Sequence, residues 1–260
     1  MAIRDEILHR ADLKAGNCVL DVGAGRGLLA ASARRQVGPT GRVVALDLSH
    51  RALHAGRARA IEMAVEPWAV VVGDARRLPC RGGTIDAVLL RAVLAYVADR
   101  ALVVGELRRV LRPDGRVALA EPIFRHHRGL RQYEHWAETA DLADFQPAHD
   151  RILAQLRQLP PPEDPLRVVA RSFDERDLIR LFVDAGFREV ALEYRYRYRA
   201  GRALDPTARA EQLVVAPDYA WAARVVLGDA AENYLHLLVG ALSVVPFPDV
   251  STQAYISAHR

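Results

Sequence analysis

The sequence predicts an α/β fold built on a mostly parallel, doubly wound sheet. Three observations carry that expectation. Over the first half of the chain, short β-rich apolar runs alternate with helical segments, the pattern of a parallel sheet covered on both faces. The first run, Asn17 to Val22, ends in Gly23-Ala24-Gly25-Arg26-Gly27 before a helical stretch; such a turn lets backbone approach a ligand at the carboxyl end of a sheet. The second and third runs each stop at a carboxylate, Asp47 and Asp74.

The elements follow in order. Leu28 to Gln36 has helical periodicity, and Gly38-Pro39-Thr40-Gly41 turns the chain into a buried-type strand, Arg42 to Leu46, stopping at Asp47. A helix fits Arg51 to Ala64, strand three Trp68 to Val72, and strand four Ile85 to Leu90. Asp99 is the expected cap of a helix with Val103, Leu107 and Val110 on one face, and Pro113-Asp114-Gly115 stops it. Arg116 to Ala120 is strand five, ending at Glu121-Pro122. Then the rhythm changes. Leu130, Tyr133, Trp136, Ala140 and Ala143 recur at helical spacing, as do Ile152, Leu156 and Leu159, before Pro160-Pro161-Pro162. A connection that long is usually a lid or binding segment. Ser172 and Glu175 are read as a capping box opening a helix that closes at Gly186, followed by a strand, Val190 to Arg199. Two consecutive helices are expected at Asp218 to Leu227 and Asp229 to Val245, the second with a capping pair Asp229 and Glu232; Ala254 to Ser257 is the last strand. The expected organisation is therefore a cofactor-binding half (1–121), a helical insertion (122–171), a core helix and strand (172–199), a second helical insertion (200–252) and a final strand (253–260).

Composition narrows the function classes. The 260 residues are 51% hydrophobic and 26% charged, which excludes a disordered or collagen-like chain. Cys18 and Cys80 are the only cysteines, too few for a disulfide framework or a four-cysteine zinc site, and no metal is expected. Lys14 is the single lysine; the other 35 basic residues are arginines spread along the chain, so the net charge of +4 speaks for solubility rather than for nucleic acid. Met1 to Arg10 carries four charges, and the most apolar stretch, Leu235 to Val245, falls far below the ~20 residues of a bilayer span. A cytoplasmic protein with no membrane partner is the expectation.

The glycine turn has its own spacing. A dinucleotide fingerprint would place a third glycine at position 28, where Leu28 stands, while Gly27 comes one residue early. That argues against a pyrophosphate cradle and against a nicotinamide-dependent oxidoreductase, the alternative on a related fold. Asp47 follows Gly27 by twenty residues, where a carboxylate can accept both hydrogen bonds of a ribose diol; Asp74 is placed to accept from an adenine amino group.

With these residues the sequence resembles the class I S-adenosylmethionine-dependent methyltransferases, in the small-molecule branch related to ubiquinone biosynthesis enzymes. The resemblance rests on Val19 to Gly27, Val43 to Asp47, Val71 to Ala75, Ile85 to Asp99 with Leu90 to Val97 inside it, and Leu107 to Gly115. It implies a Rossmann-like, seven-stranded, mostly parallel sheet whose antiparallel edge would use Val190 to Arg199 and Ala254 to Ser257. It also implies S-adenosyl-L-methionine as cofactor. Asp21, Gly23, Ala24, Gly25 and Gly27 would surround its methionine part; Asp47 and Leu48 the ribose and adenine; Asp74 and Ala75 the adenine edge; and Arg91 would lie beneath it near the acceptor. A cofactor-binding protein without methyl transfer, such as a cyclase or a regulatory module, is a further alternative.

Candidates for acceptor chemistry lie in the first insertion: His126, His127, Tyr133, Glu134, His135 and His149. A base is needed only where the acceptor is a hydroxyl, an acidic carbon or a protonated amine. His135 and His126, with Arg91, are the catalytic expectations, although a solvated loop is the simpler account of His126-His127. The two insertions are expected to roof the crevice and receive a small, partly hydrophobic acceptor. Tyr194-Arg195-Tyr196-Arg197-Tyr198-Arg199 is read as an edge strand with tyrosines inward and arginines in solvent rather than as an RNA contact. The stripe Ala231, Leu235, Leu238 and Leu242 could equally form a homodimer surface or dock on the domain.

Overall fold

A computed structural model describes residues 2–62, 64–66, 68–124, 144–158, 165–199, 217–243 and 249–260. Its sheet runs β3-β2-β1-β4-β5-β7-β6. The strands are β1 (Cys18–Val22), β2 (Arg42–Asp47), β3 (Ala69–Val72), β4 (Ile85–Arg91), β5 (Leu111–Pro122), β6 (Arg188–Arg199) and β7 (Asp249–His259). β1 to β5 pair in parallel, and β7 lies antiparallel to β5 with Ala118 opposite Ser257. The chain builds outward from β1 to β3 and then returns to place β4 on the other side of β1. That reversal opens a crevice at the carboxyl ends of β1 and β4, where such sheets bind ligands.

Period two explains why the central strands read as unbroken apolar runs. Leu20, Val22, Val88, Leu90, Val117 and Leu119 join one core cluster, while Val19, Ala87, Leu89, Ala118 and Ala120 join another. Both faces are buried, so no polar alternation survives. On the second face, α1 (Ile3–Ala11) packs against β4 and β5, and α2 (Leu28–Val37) lays Leu29, Ala30, Ala33 and Val37 on β1 and β2. α3 (His50–Glu62) covers β2 and β3, and ends sooner than its periodicity suggests, with Ala64 at φ 50°. On the first face, α4 (Arg100–Val110) buries Val103, Leu107 and Val110 as expected. Burying each such side chain fully is worth about 1.5–3 kcal/mol.

The chain divides into two compact units. Unit one comprises 1–125, 169–195 and 252–260; unit two comprises 126–168 and 196–251. The described helices of unit two are α5 (Gln146–Gln158), α8 (Pro217–Leu227) and α9 (Ala231–Ser243), with α6 (Pro165–Arg171) at the boundary. Ile152, Leu153, Leu156, Tyr219, Ala222, Ala223 and Leu238 form that unit's own core. No helix among the described residues is long and apolar enough to cross a membrane.

Several local expectations need correction. The capping box of α7 (Glu175–Asp184) is Asp174 with Asp177, not Ser172 with Glu175: Asp174 Oδ1 accepts the Arg176 and Asp177 N–H groups, and Asp177 Oδ2 accepts Asp174 N–H. Ser172 instead donates to the Val169 carbonyl. Asp99 holds the N-cap position of α4 without a side-chain cap bond, its carboxylate lying 3.6 Å from Arg76. Asp229 sits inside a 3₁₀ turn running straight into α9, and Glu232 pairs with Arg224 at 2.8 Å. On β6, Tyr194 packs on the first core cluster as expected, but Arg195 and Tyr196 do not keep to the expected faces. Arg195 reaches Glu6 at 2.9 Å, pairs with Glu193 and stacks 4.7 Å from the Tyr255 ring centroid, whereas Tyr196 is exposed. The buried partners on this edge are the Glu6 carboxylate of α1 and the Tyr255 ring, so a guanidinium covers that face. The last strand is longer than the apolar run, because β5 and β6 flank it on both sides.

Candidate active site

The turn between β1 and α2 is shaped by three glycines at positive φ: Gly23 (66°), Gly25 (52°) and Gly27 (73°). Two of them also leave no room for a side chain. A Cβ on Gly23 would lie 2.4 Å from Val93 Cγ2, and one on Gly27 would lie 2.5 Å from Trp68 Cζ2. At Gly25 an added Cβ meets none of the described residues within 4 Å, so among them that side of the turn is open. α3 presses on the turn through Gly56, whose Cβ would fall 2.6 Å from the Arg26 carbonyl group. Ala24 N–H donates to the Leu46 carbonyl at 3.0 Å, tying the turn to β2.

Carboxylates surround it. Asp21, at the end of β1 and almost fully buried, accepts Ala30 N–H at 2.9 Å. Burial pushes its carboxyl up to about 7; the Ala30 N–H opposes the rise and the Asp47 charge adds to it. Asp47 ends β2, with Oδ2 accepting Gly25 N–H and Oδ1 accepting Ser49 N–H, both at 2.8 Å. A carboxylate offers about four acceptor positions, so about two remain for a ligand diol. Leu48 beside it is 72% exposed, an apolar surface laid open at the strand end.

Asp74 stands just beyond β3, but Arg76 engages it. Arg76 Nε lies 3.1 and 3.0 Å from the two oxygens, Nη2 lies 2.7 Å from Oδ2, and the Arg76 N–H reaches Oδ1 at 2.8 Å. The Arg76 guanidinium, helped by that N–H, holds the Asp74 carboxyl below its usual range. Ala75 packs against the first core cluster. Arg91 is exposed at the end of β4, next to Ala92 at φ 54°. His126 and His135, like His127, Tyr133, Glu134 and Trp136, lie outside the described residues. His149 is described and sits in the core of unit two: its Nδ1 is 2.8 Å from the Tyr219 hydroxyl, which is 2.9 Å from that of Tyr234.

Sequence reasoning missed Glu121. It ends β5, fully buried, and accepts backbone N–H groups from Val93, Leu94 and Ala95. Burial pushes its carboxyl up to about 7 against those N–H groups and the Arg100 charge. A carboxylate closing an apolar run was the available signal, since a buried charge needs partners. Val93 and Trp68, which crowd the glycines, carried no signal, because nothing in the spacing brings them to the turn.

Residues 20–119 match a family model described as a methyltransferase domain. A ubiquinone/menaquinone biosynthesis C-methyltransferase of Pseudomonas putida (strain W619) is 30% identical over 188 residues, covering 70% of each chain. This chain belongs to the class I S-adenosylmethionine-dependent methyltransferases. Nocamycin O-methyltransferase of Saccharothrix syringae is 34% identical over 117 residues, 45% of this chain and 42% of that one. The YcgJ protein of Bacillus subtilis superposes with a TM-score of 0.62 over 99% of this methyltransferase-family chain and 97% of its own, at 17% identity, which establishes the shared fold. The chain spans about a third to a half of the length of most curated relatives it matches.

The crevice residues fit the family's cofactor. The open face of Gly25, the spare acceptor positions of Asp47 and the bare Leu48 side chain would hold, respectively, an aminoacyl end, a ribose and a nucleobase face. Asp74 fits the base edge only if Arg76 shares or releases it.

Proposed function

We propose that this chain transfers the methyl group of S-adenosyl-L-methionine to a small, partly hydrophobic organic acceptor. The observation that carries the reading is the glycine turn, open at Gly25 and flanked by Asp47, at the point where β1 and β4 part. The apolar character of the acceptor is supported by side chains left exposed at the same end of the sheet and not assigned to the cofactor: Leu28 after β1 and Tyr96 after β4. Relatives whose names specify C- and O-methylation of small molecules agree with this reading.

When bound, the cofactor supplies a sulfonium-activated methyl group, whose in-line displacement needs no acid at the leaving sulfur. The protein's work is then alignment and exclusion of water. Asp47 orients by accepting, Gly23 and Gly25 let backbone close on the ligand, and Leu48 offers an apolar platform. Arg91, exposed at the end of β4, is the proposed partner of an anionic or carbonyl group of the acceptor. Where the acceptor must lose a proton, His135 and His126 are the proposed bases.

Mass spectrometry of small molecules released from the purified protein tests the reading. Copurified S-adenosylhomocysteine is expected, together with methyl label passing from S-adenosylmethionine into a small-molecule extract. Tight binding of a nicotinamide dinucleotide without S-adenosylhomocysteine binding would overturn it, as would label appearing only in tRNA or rRNA.

A further inference from the structure

The loop after β4 is tethered on two sides by buried charged groups. Glu121 Oε1 accepts Val93 and Leu94 N–H at 2.9 and 3.1 Å, and its Oε2 accepts Ala95 N–H at 3.0 Å. These are the first donors of the 3₁₀ turn Leu94–Tyr96, so one carboxylate satisfies amides that the turn itself leaves open. From α4, Arg100 Nε donates to the Leu94 carbonyl at 2.8 Å, while its other nitrogens reach Ser172 Oγ and the Val169 carbonyl. The guanidinium also lies 4.3 Å from the Phe173 ring centroid. Between these tethers stands Val93, whose methyl occupies the space that a side chain on Gly23 would need.

An apolar residue at 121 would fill the same volume without desolvating a charge, but it would leave three N–H groups unmet. What the carboxylate adds is a fixed direction for three consecutive amides. We infer that Glu121 is a positioning residue for the cofactor crevice: by gathering the Val93, Leu94 and Ala95 amides it holds the post-β4 loop against Gly23 and so sets the crevice wall. The inference rests on the reading that this crevice takes S-adenosylmethionine. Glu121 touches no reacting atom; it acts through Val93.

The test uses the full chain, S-adenosylhomocysteine as probe, calorimetric affinity and residue-resolved amide exchange. In Glu121→Gln, which puts a donor where one amide needs an acceptor, the Val93 to Ala95 amides are expected to exchange at least about tenfold faster, while Leu20 and Leu89 in β1 and β4 keep their protection. Affinity is expected to fall about tenfold, and by less than about threefold when the substitution is made in a Val93→Ala background. Unchanged affinity despite faster loop exchange overturns the inference. So do equal losses in both backgrounds, or faster exchange across all strands together. If Glu121→Gln does not fold, Glu121→Asp, which keeps the charge but shortens the reach, is put through the same comparison with the same outcomes. A wild-type chain that does not bind the probe overturns the cofactor reading as well, which separates that failure from one confined to Glu121.

Discussion

Gly25 and Gly27 differ by one neighbour, and that difference can be measured. Gly27 has φ 73°, and a Cβ there would lie 2.5, 3.2 and 3.3 Å from the Trp68 indole atoms Cζ2, Cε2 and Cη2. Trp68 is 5% exposed among Leu29, Ala30 and Leu53, so the ring cannot swing away. In Gly27→Ala the left-handed backbone costs about 1–2 kcal/mol, and crowding a packed core adds about 1–3 kcal/mol. Gly25→Ala carries only the backbone cost, because no described residue lies within 4 Å of its new methyl. Urea unfolding of both variants should therefore show Gly27→Ala less stable by about 1–3 kcal/mol at an unchanged m-value. Affinity for S-adenosylhomocysteine should rank the other way, since the Gly25 methyl enters the open side of the turn. Equal unfolding costs would show that the indole yields freely and would refute the packing argument.

Two further outcomes are expected. Asp47→Ala removes the acceptor of the Gly25 and Ser49 N–H groups and should weaken S-adenosylhomocysteine binding by about 1–3 kcal/mol; calorimetry showing unchanged affinity would place the ribose elsewhere. Asp21, raised to about 7 by burial, makes stability fall with rising pH: between about pH 4 and 7 the folded chain keeps a proton that the unfolded chain has lost. The span is at most about 4 kcal/mol, at 1.36 kcal/mol per unit. Glu121 adds a slope of the same sign, so the comparison that isolates Asp21 is wild type against Asp21→Asn, whose unfolding free energy should depend less steeply on pH over that range.

Much of the site was legible because it is local. The apolar runs place β1 to β4 to within a residue at each end, while β5 begins at Leu111, ahead of the expected Pro113-Asp114-Gly115 stop; the turn with its three glycines can be placed without knowing what surrounds it. Asp47 follows from the end of a strand. Asp74 stands just beyond the end of β3, as the apolar run implies, yet nothing in that run signals its engagement by Arg76, two residues on. The capping box was displaced by two residues, because Ser172 and Glu175 have the right spacing while the helix actually begins after Asp174. The contact of Arg195 with Glu6 is not legible in the alternation, because period two distinguishes the faces of a strand without saying which face meets α1.

The sequence by itself determined the individual strands of the first half, the glycine turn and the strand-end carboxylates, since each depends on φ preferences and periodicity within a single element. Only the tertiary structure decided what closes on the turn: Val93 over Gly23, Trp68 against Gly27, Gly56 on Arg26, and Glu121 beneath the loop after β4. These pairs stand about 28 to 70 residues apart. Their meeting follows from the order in which strands assemble beside β1, and a contact of that kind leaves no period in the chain.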